Sequence, residues 1–251
     1  MNGATEATNP SSSPIPAKSF HARLVGVIYS PGETFEDIAR KPGFWPMLIT
    51  IVVFSIATTE TLLDKIGMAR VIRMQLEQSG RAQSMTADQM QAAIQRGAMF
   101  GAILARVGEV LGPPISLLIL AGIGLLILNA FFGAETKFRA VFSATCFAFT
   151  PALISELLAM AMFFFADPNQ LNMQDPTPTN PGFFMNPLTA SKPLLALASS
   201  LDIFTFWVMA LLAIGLSRVA NRKVKAAWIF GCYFGLWLIV VFIKVGFALL
   251  T

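Results

Sequence analysis

The stretch AAWIFGCYFGLWLIVVFIKVGFALL, residues 226–250, is apolar from end to end except for one charged side chain, Lys244. A helix rises ~1.5 Å per residue, so ~20 residues are enough to cross the hydrocarbon core of a bilayer. The run is too long for a barrel strand and does not alternate polar with apolar residues, which favours a helix. Residues 226–250 are therefore predicted to span a membrane.

Four further stretches have the same character, and with residues 226–250 they predict five spans. They cover about residues 46–63, 111–132, 138–166 and 194–216. Of the 251 residues, 55% are hydrophobic and 13% are charged, whereas an average soluble domain is about 25% charged. We therefore expect an all-α polytopic membrane protein with five transmembrane helices plus amphipathic interfacial helices. The composition argues against a soluble enzyme, which would expose large apolar patches to water.

The segments outside the spans divide the chain further. Residues 1–19 are rich in Ser, Pro, Thr and Asn, which predicts a disordered N-terminal tail, and residues 20–251 form the membrane domain. Within that domain, residues 65–110 are predicted to form an extramembrane helical segment. Its main helix is expected to start with a capping box at Thr86 and to run on to Gly112.

Two short helices are predicted before the first span. Apolar residues at helical spacing over residues 20–28 indicate a helix that lies on the inner membrane surface. Ser30 is followed by Pro and, three residues later, by Glu33, which predicts a capping box and a helix that stops near Lys41.

The second of these helices carries both apolar and acidic side chains, which are expected to face different surroundings. We expect Phe35 and Ile38 to touch the membrane. Glu36 and Asp37 are expected to face water, because an unpaired charge is costly to bury.

The distribution of Lys and Arg predicts the orientation of the chain. If the N-terminus is cytoplasmic, ten basic residues lie in the inner segments, whereas the short outer loop between spans three and four holds only Lys192. Short cytoplasmic loops carry an excess of Lys and Arg, so the sequence predicts a cytoplasmic N-terminus and an external C-terminus. The ten residues are Lys18, Arg23, Arg40, Lys41, Lys137, Arg139, Arg218, Arg222, Lys223 and Lys225.

Three segments resemble the bacterial branch of the Yip family, which is named for proteins that interact with Ypt and Rab GTPases. They are SPGETFEDIARKP (30–42), FFGAETKFRAVFSATCFAFTPALI (131–154) and SLDIFTFWVMALLAIGLSRVANRKVKAAW (200–228). The resemblance implies a five-helix membrane domain with a cytoplasmic N-terminus, placed in a bacterial inner membrane. Eukaryotic members act in traffic between the endoplasmic reticulum and the Golgi, whereas the bacterial branch has no settled function.

No residues are predicted to be catalytic, to bind a cofactor or to bind a metal. The chain has one histidine, His21, and both cysteines, Cys146 and Cys232, lie in apolar runs. Phosphate-binding loops, nucleophile elbows and zinc-binding helices have no match in the sequence. Aromatic residues lie within the apolar runs and not within a basic face, so no nucleic-acid partner is expected.

Four ionisable residues are candidates for an intramembrane polar cluster: Glu60, Glu156, Asp202 and Lys244. Counting ~1.5 Å per residue from the inner end of each span places all four in the outer half of the membrane. A charge at that depth costs at least ~2.5–3.5 kcal/mol unless it is paired or hydrated, so each residue requires a reason. The cluster is either structural, fixing helix packing, or a proton- or cation-binding site.

Gly231 and Gly235 form a G-x-x-x-G pattern, which permits close approach of another helix. That helix belongs either to the same bundle or to a second copy of the chain. The sequence thus predicts a non-enzymatic membrane-organising or interaction scaffold in contact with the lipid bilayer, with a possible membrane-protein partner or homo-oligomer. The alternative is a small proton- or cation-coupled transporter or channel-like protein that uses the polar cluster.

Overall fold

The computed structural model describes residues 17–167, 175–187 and 189–250, without the side chain of Gln78. Helices account for all regular structure in those ranges, and no strand occurs there. Short 3₁₀ turns lie at Arg81–Ser84 and Pro181–Phe184. The ten α-helices are α1 Phe20–Tyr29, α2 Pro31–Arg40, α3 Trp45–Lys65, α4 Met68–Gln78, α5 Ala87–Leu126, α6 Phe138–Ala148, α7 Thr150–Phe165, α8 Lys192–Ser200, α9 Ile203–Val219 and α10 Ala226–Leu250.

Four helical segments of the described chain are long and apolar enough to cross a membrane, and a fifth crossing results if α8 and α9 are one broken span. Those two helices meet at a 42° bend. The all-α polytopic fold is therefore confirmed, and the predicted fourth span is interrupted at Leu201 and Asp202. Most of the predicted N-terminal tail lies outside the described residues. Ser19, at its end, caps α1 by accepting a hydrogen bond from the Ala22 N–H.

The second span is much longer than predicted. The capping box at Thr86 is present, but the helix does not end at Gly112. It continues through Pro113 and Pro114 to Phe131, the last turn being a π-helix, and is 45 residues long. Proline lacks the N–H for the bond four residues back, but its φ is compatible with a helix. At ~1.5 Å per residue the helix is about 67 Å long, so a large part projects beyond the ~30 Å hydrocarbon core.

Helix α4 packs beside the first half of α5, and two glycines permit this contact. A Cβ at Gly97 would lie 2.9 Å from the Ile72 side chain, and one at Gly101 would lie 3.1 Å from Met68. Both distances are too short for an ordinary carbon contact. The predicted extramembrane segment is thus a pair of closely packed helices, one of which is continuous with span two.

Helices α1 and α2 form a hairpin on one end of the bundle, where α2 packs against α6 and α9. The boundaries of both helices agree with the sequence prediction. The capping box at Ser30 is wrong, since that side chain makes no capping hydrogen bond. The expectation that Phe35 and Ile38 touch the membrane is also wrong, because both are fully buried in the protein core. The Phe35 ring lies so close to Gly215 that a Cβ there would be 2.8 Å away.

Helix α6 is the centre of the bundle. Every residue from 141 to 148 is buried, and α6 contacts α2, α5 and α9. The span that begins with α6 is divided at Phe149, and α7 starts at the next residue, Thr150. A smaller apolar cluster of Ile66, Val71, Ala159 and Phe163 lies apart from this core. Packing around α6 therefore holds the α1–α2 hairpin and the spans together.

Candidate functional site

Three of the four residues of the predicted polar cluster, Glu60, Asp202 and Lys244, each bond to a different partner. Glu60 accepts hydrogen bonds from Arg106 of α5 at 2.7 and 3.2 Å. Asp202 caps α9 and accepts from the Thr205 N–H at 2.8 Å and its hydroxyl at 3.0 Å. Within the described part of the chain, no two of the four side chains are bonded to each other. As one site, the cluster remains a prediction.

The other two members lie on α7 and α10. The Lys244 side chain donates to the Ser200 hydroxyl at 3.3 Å, at the break between α8 and α9. Glu156 is partly exposed on α7 and forms no ion pair among the residues that the structure describes. Lys244 and Asp202 thus approach the same break, whereas Glu60 is bound at the α3–α5 contact.

The α8–α9 break carries a polar group that the sequence analysis missed. Asp175 is buried and accepts hydrogen bonds from the Ser199 hydroxyl and from the Asn180 amide, the latter at 3.2 Å. A cavity of about 710 Å³ lies beside it. Its polar lining comprises Gln75, Ser79, Asp175, Lys192, Ser199 and Lys244. The sequence does not distinguish Asp175, because it follows a stretch rich in Pro and Asn, which is typical of irregular loops.

At the opposite end of the bundle, Asp37 ties α2 to α1. The Arg23 Nε lies 2.9 Å from one carboxylate oxygen, and the Arg40 guanidinium lies 2.8 Å from the other. The Arg23 guanidinium also donates to the Lys41 carbonyl at 3.0 Å, and the Lys18 N–H donates to Asp37. Asp37 and Arg23 are only 5% and 7% exposed. The expectation that Asp37 faces water is therefore wrong.

The electrostatics of this network keep the Asp37 carboxyl ionised. Burial by itself would raise the pKa of Asp37, but hydrogen bonds from Arg23 and Arg40 outweigh it and hold the pKa below its ordinary value. Asp37 follows Thr34 by three residues, so both lie on the same face of α2, and Thr34 is fully buried.

Glu36 connects α2 to the end of α9. Its carboxylate forms ion pairs with Arg218 and Arg222, and the hydrogen bond from Arg222 is the main reason that the pKa of Glu36 is lowered. Glu36 is half-exposed, as predicted. Arg218 and Arg222, which the sequence analysis counted only for orientation, therefore also attach the hairpin to the bundle.

Gly231 and Gly235 of α10 face open space. A Cβ on either residue would have no heavy atom within 4 Å, in contrast to the contacts at Gly97 and Gly101. The described chain therefore makes no close helix contact at this G-x-x-x-G, and packing against a second copy or a partner remains a prediction.

A comparison with known proteins places most of the chain in one family. Residues 25–245 match the Yip1 domain. The chain is 27% identical over 209 residues to "Membrane protein YknW" of Bacillus subtilis (strain 168), an alignment that covers 82% of each protein. No solved structure gives a significant match.

Proposed function

The chain belongs to the Yip1 domain family, and we propose that it acts as a non-enzymatic scaffold that holds other membrane proteins through the outward face of α10. The scaffold has two parts. The bundle around α6 supplies a fixed frame, to which Glu36 and the core residues Phe35 and Ile38 attach the α1–α2 hairpin. The outward side of α10 supplies a surface for another helix.

The observation that carries this proposal is the open glycine face of α10. Ile229, Tyr233 and Val241 are buried and attach the helix to the bundle. The opposite side is defined by Trp228, Gly231, Gly235, Ile239 and Phe242, which recur at helical spacing; the three large members are at least half exposed. We call these five residues the glycine face.

The glycine face suits a helix better than lipid chains alone. Glycines separated by four residues let two backbones approach closely, and membrane helices associate through packing and not through a hydrophobic driving force. The Trp228, Ile239 and Phe242 side chains stand beside the glycines and supply contact area for a partner. The face extends for about 21 Å along the helix at ~1.5 Å per residue, most of the ~30 Å hydrocarbon core.

The proposed setting is a bacterial inner membrane with the N-terminus cytoplasmic and the C-terminus outside. The ion pairs of Glu36 with Arg218 and Arg222 bring α2 and the α9–α10 loop to one end of the bundle. The Lys and Arg residues of these two segments then lie on the same side, which supports a cytoplasmic assignment for that end. A reporter fused after Thr251 should be accessible only from the non-cytoplasmic side of that membrane.

Crosslinking in native membranes tests the scaffold. A photo-reactive residue placed at Ile239 should give a reproducible protein adduct, either with a second copy or with a partner. Gly235→Leu should lower the yield of that adduct at least tenfold, because the added side chain keeps the two backbones apart. Gly122→Leu is the matched control, since Gly122 is equally open but lies on α5. Adducts with lipid alone, or equal yields from both variants, would refute the proposal.

A further inference from the structure

Three cationic side chains line a cavity between the end of α9 and the start of α10. The cavity has a volume of about 300 Å³, and its polar lining comprises Ser217, Arg218, Arg222 and Lys225. The loop that brings them together is tightly turned. Asn221 and Arg222 adopt left-handed backbone conformations, and the Ser217 hydroxyl donates to the Val224 carbonyl.

Two exposed tryptophans near the ends of spans indicate that this cavity lies at the level of lipid headgroups. Trp45 is the first residue of α3, and Trp228 lies in the first turn of α10. Both helices begin at the end of the bundle where α2 meets the α9–α10 loop. The two indoles are 64% and 65% exposed, and exposed Trp at the end of a span is typical of the membrane–water interface.

The electrostatics of the cavity favour an anion. Three cations face one carboxylate, that of Glu36, which binds Arg218 and Arg222. Lys225 forms no ion pair within the described residues. The cavity also borders Ala226, the first residue of the 25-residue helix α10. First-turn N–H groups of a helix lack intrahelical acceptors and attract negative charge.

We propose that this cavity binds the phosphate of an anionic phospholipid headgroup. Lys225 and Arg222 contact the phosphate, while Glu36 competes with it for the arginines. The lipid is favoured over free phosphate because the two exposed indoles place the cavity at the bilayer surface, where headgroup phosphates are concentrated. The acyl chains of the lipid then lie along the adjacent apolar surface of α10.

Two lysines of the same loop provide a matched pair of variants. Lys225 lines the cavity, whereas Lys223 is exposed two residues away and does not line it. Lys225→Gln and Lys223→Gln make the same change in net charge. A basic residue near a membrane surface contributes about 1 kcal/mol to binding of anionic lipid, or about fivefold in affinity. Both residues are exposed, so neither change removes a buried contact.

The experiment measures lipid binding to the full chain purified in a neutral detergent. Native mass spectrometry with short-chain phosphatidylglycerol should show about fivefold weaker binding for Lys225→Gln and little change for Lys223→Gln. Glu36→Gln should bind more tightly than the unaltered chain. Phosphatidylcholine should bind more weakly than phosphatidylglycerol, because its headgroup has no net charge.

Two results would overturn the proposal. Equal losses from Lys223→Gln and Lys225→Gln would mean that diffuse surface charge, and not the cavity, attracts the lipid. Displacement of the lipid by millimolar inorganic phosphate, with the same dependence on Lys225, would identify free phosphate as the ligand. Elution of each variant as a single species establishes that the bundle remains folded.

Discussion

Replacement of Asp37 by Asn should loosen the contact between α1 and α2 and so open the hairpin. The amide keeps the shape of the side chain but removes the charge that pairs with Arg23 at 2.9 Å and Arg40 at 2.8 Å. Arg23 is 7% exposed, so it becomes a buried charge without its counter-ion. Removal of one partner of a buried pair costs about 3–5 kcal/mol.

The lower end of that range applies here. The Arg23 guanidinium still donates to the Lys41 carbonyl at 3.0 Å, which keeps it partly solvated in the variant. A cost of about 3 kcal/mol corresponds to a more than hundredfold increase in the population of the opened hairpin, in which α1 no longer packs on α2. Limited proteolysis measures this population directly, because cleavage between α2 and α3 requires local opening.

Glu33→Gln is the control for this experiment. Glu33 is an exposed residue in the first turn of the same helix. Its loss removes only a favourable interaction with the helix dipole, worth ~0.3–1 kcal/mol. If Asp37→Asn and Glu33→Gln are cleaved at the same rate, the buried pair does not hold the hairpin.

The same network predicts a dependence on pH. The pKa of Asp37 is lower in the folded protein than its ordinary value. The ionised carboxylate therefore stabilises the contact between α1 and α2 above about pH 4, and this stabilisation is lost as the pH falls from there towards the folded pKa. Proteolysis of the hairpin should accelerate in acid for the unaltered chain but change much less for Asp37→Asn. Equal acceleration in both would contradict this assignment.

Three further substitutions test the packing of the bundle. Gly215→Ala should lower the unfolding midpoint and destabilise the protein by about 1–3 kcal/mol, because the new Cβ would lie 2.8 Å from the Phe35 ring. Gly122→Ala is the control, since its Cβ enters open space and should lower the midpoint little. Gly97→Val should separate α4 from α5 and increase proteolysis of α4, because a Cβ at position 97 would lie 2.9 Å from the Ile72 side chain. Gly108→Val is the control, since a Cβ at Gly108 would have no heavy atom within 4 Å. Equal cleavage of the two variants would disprove the contact. Tyr233→Phe removes the 2.8 Å hydrogen bond to the Leu120 carbonyl and should lower the free energy of unfolding by about 0.5–1 kcal/mol, measured by thermal unfolding. Tyr29→Phe is the control, because Tyr29 is 82% exposed and its replacement should have no effect.

Hydropathy alone was sufficient to predict the all-helical membrane fold and the approximate positions of the spans. The reason is that lipid hydrocarbon offers no hydrogen-bond partners. Every backbone N–H and C=O must therefore be bonded within the protein, so a long apolar run forms a helix whatever packs around it. Helix boundaries near Pro31 and Lys41, and the capping box at Thr86, were equally local and are present in the structure. The family resemblance rested on three segments, residues 30–42, 131–154 and 200–228.

Hydropathy and local motifs do not predict what each helix face packs against. An apolar face is equally compatible with lipid and with protein, since burial in either removes it from water. The sequence therefore predicts that Phe35 and Ile38 touch the membrane, although they pack in the core. The sequence likewise predicts that Asp37 faces water, because it does not reveal that Arg23 neutralises the carboxylate within the protein.

For glycine patterns and intramembrane charges too, the sequence does not reveal which neighbour each residue contacts. Sequence spacing identifies pairs of glycines that could accept a helix, but the position of α4 determines that Gly97 and Gly101 do so while Gly231 and Gly235 remain open. Depth along a span placed Glu60 and Lys244 at similar heights, but rotation of each helix about its axis gives them different neighbours. Backbone hydrogen bonding is local and can be derived from the sequence. Which side chains meet depends on how the helices are rotated and packed, and that is a property of the whole bundle.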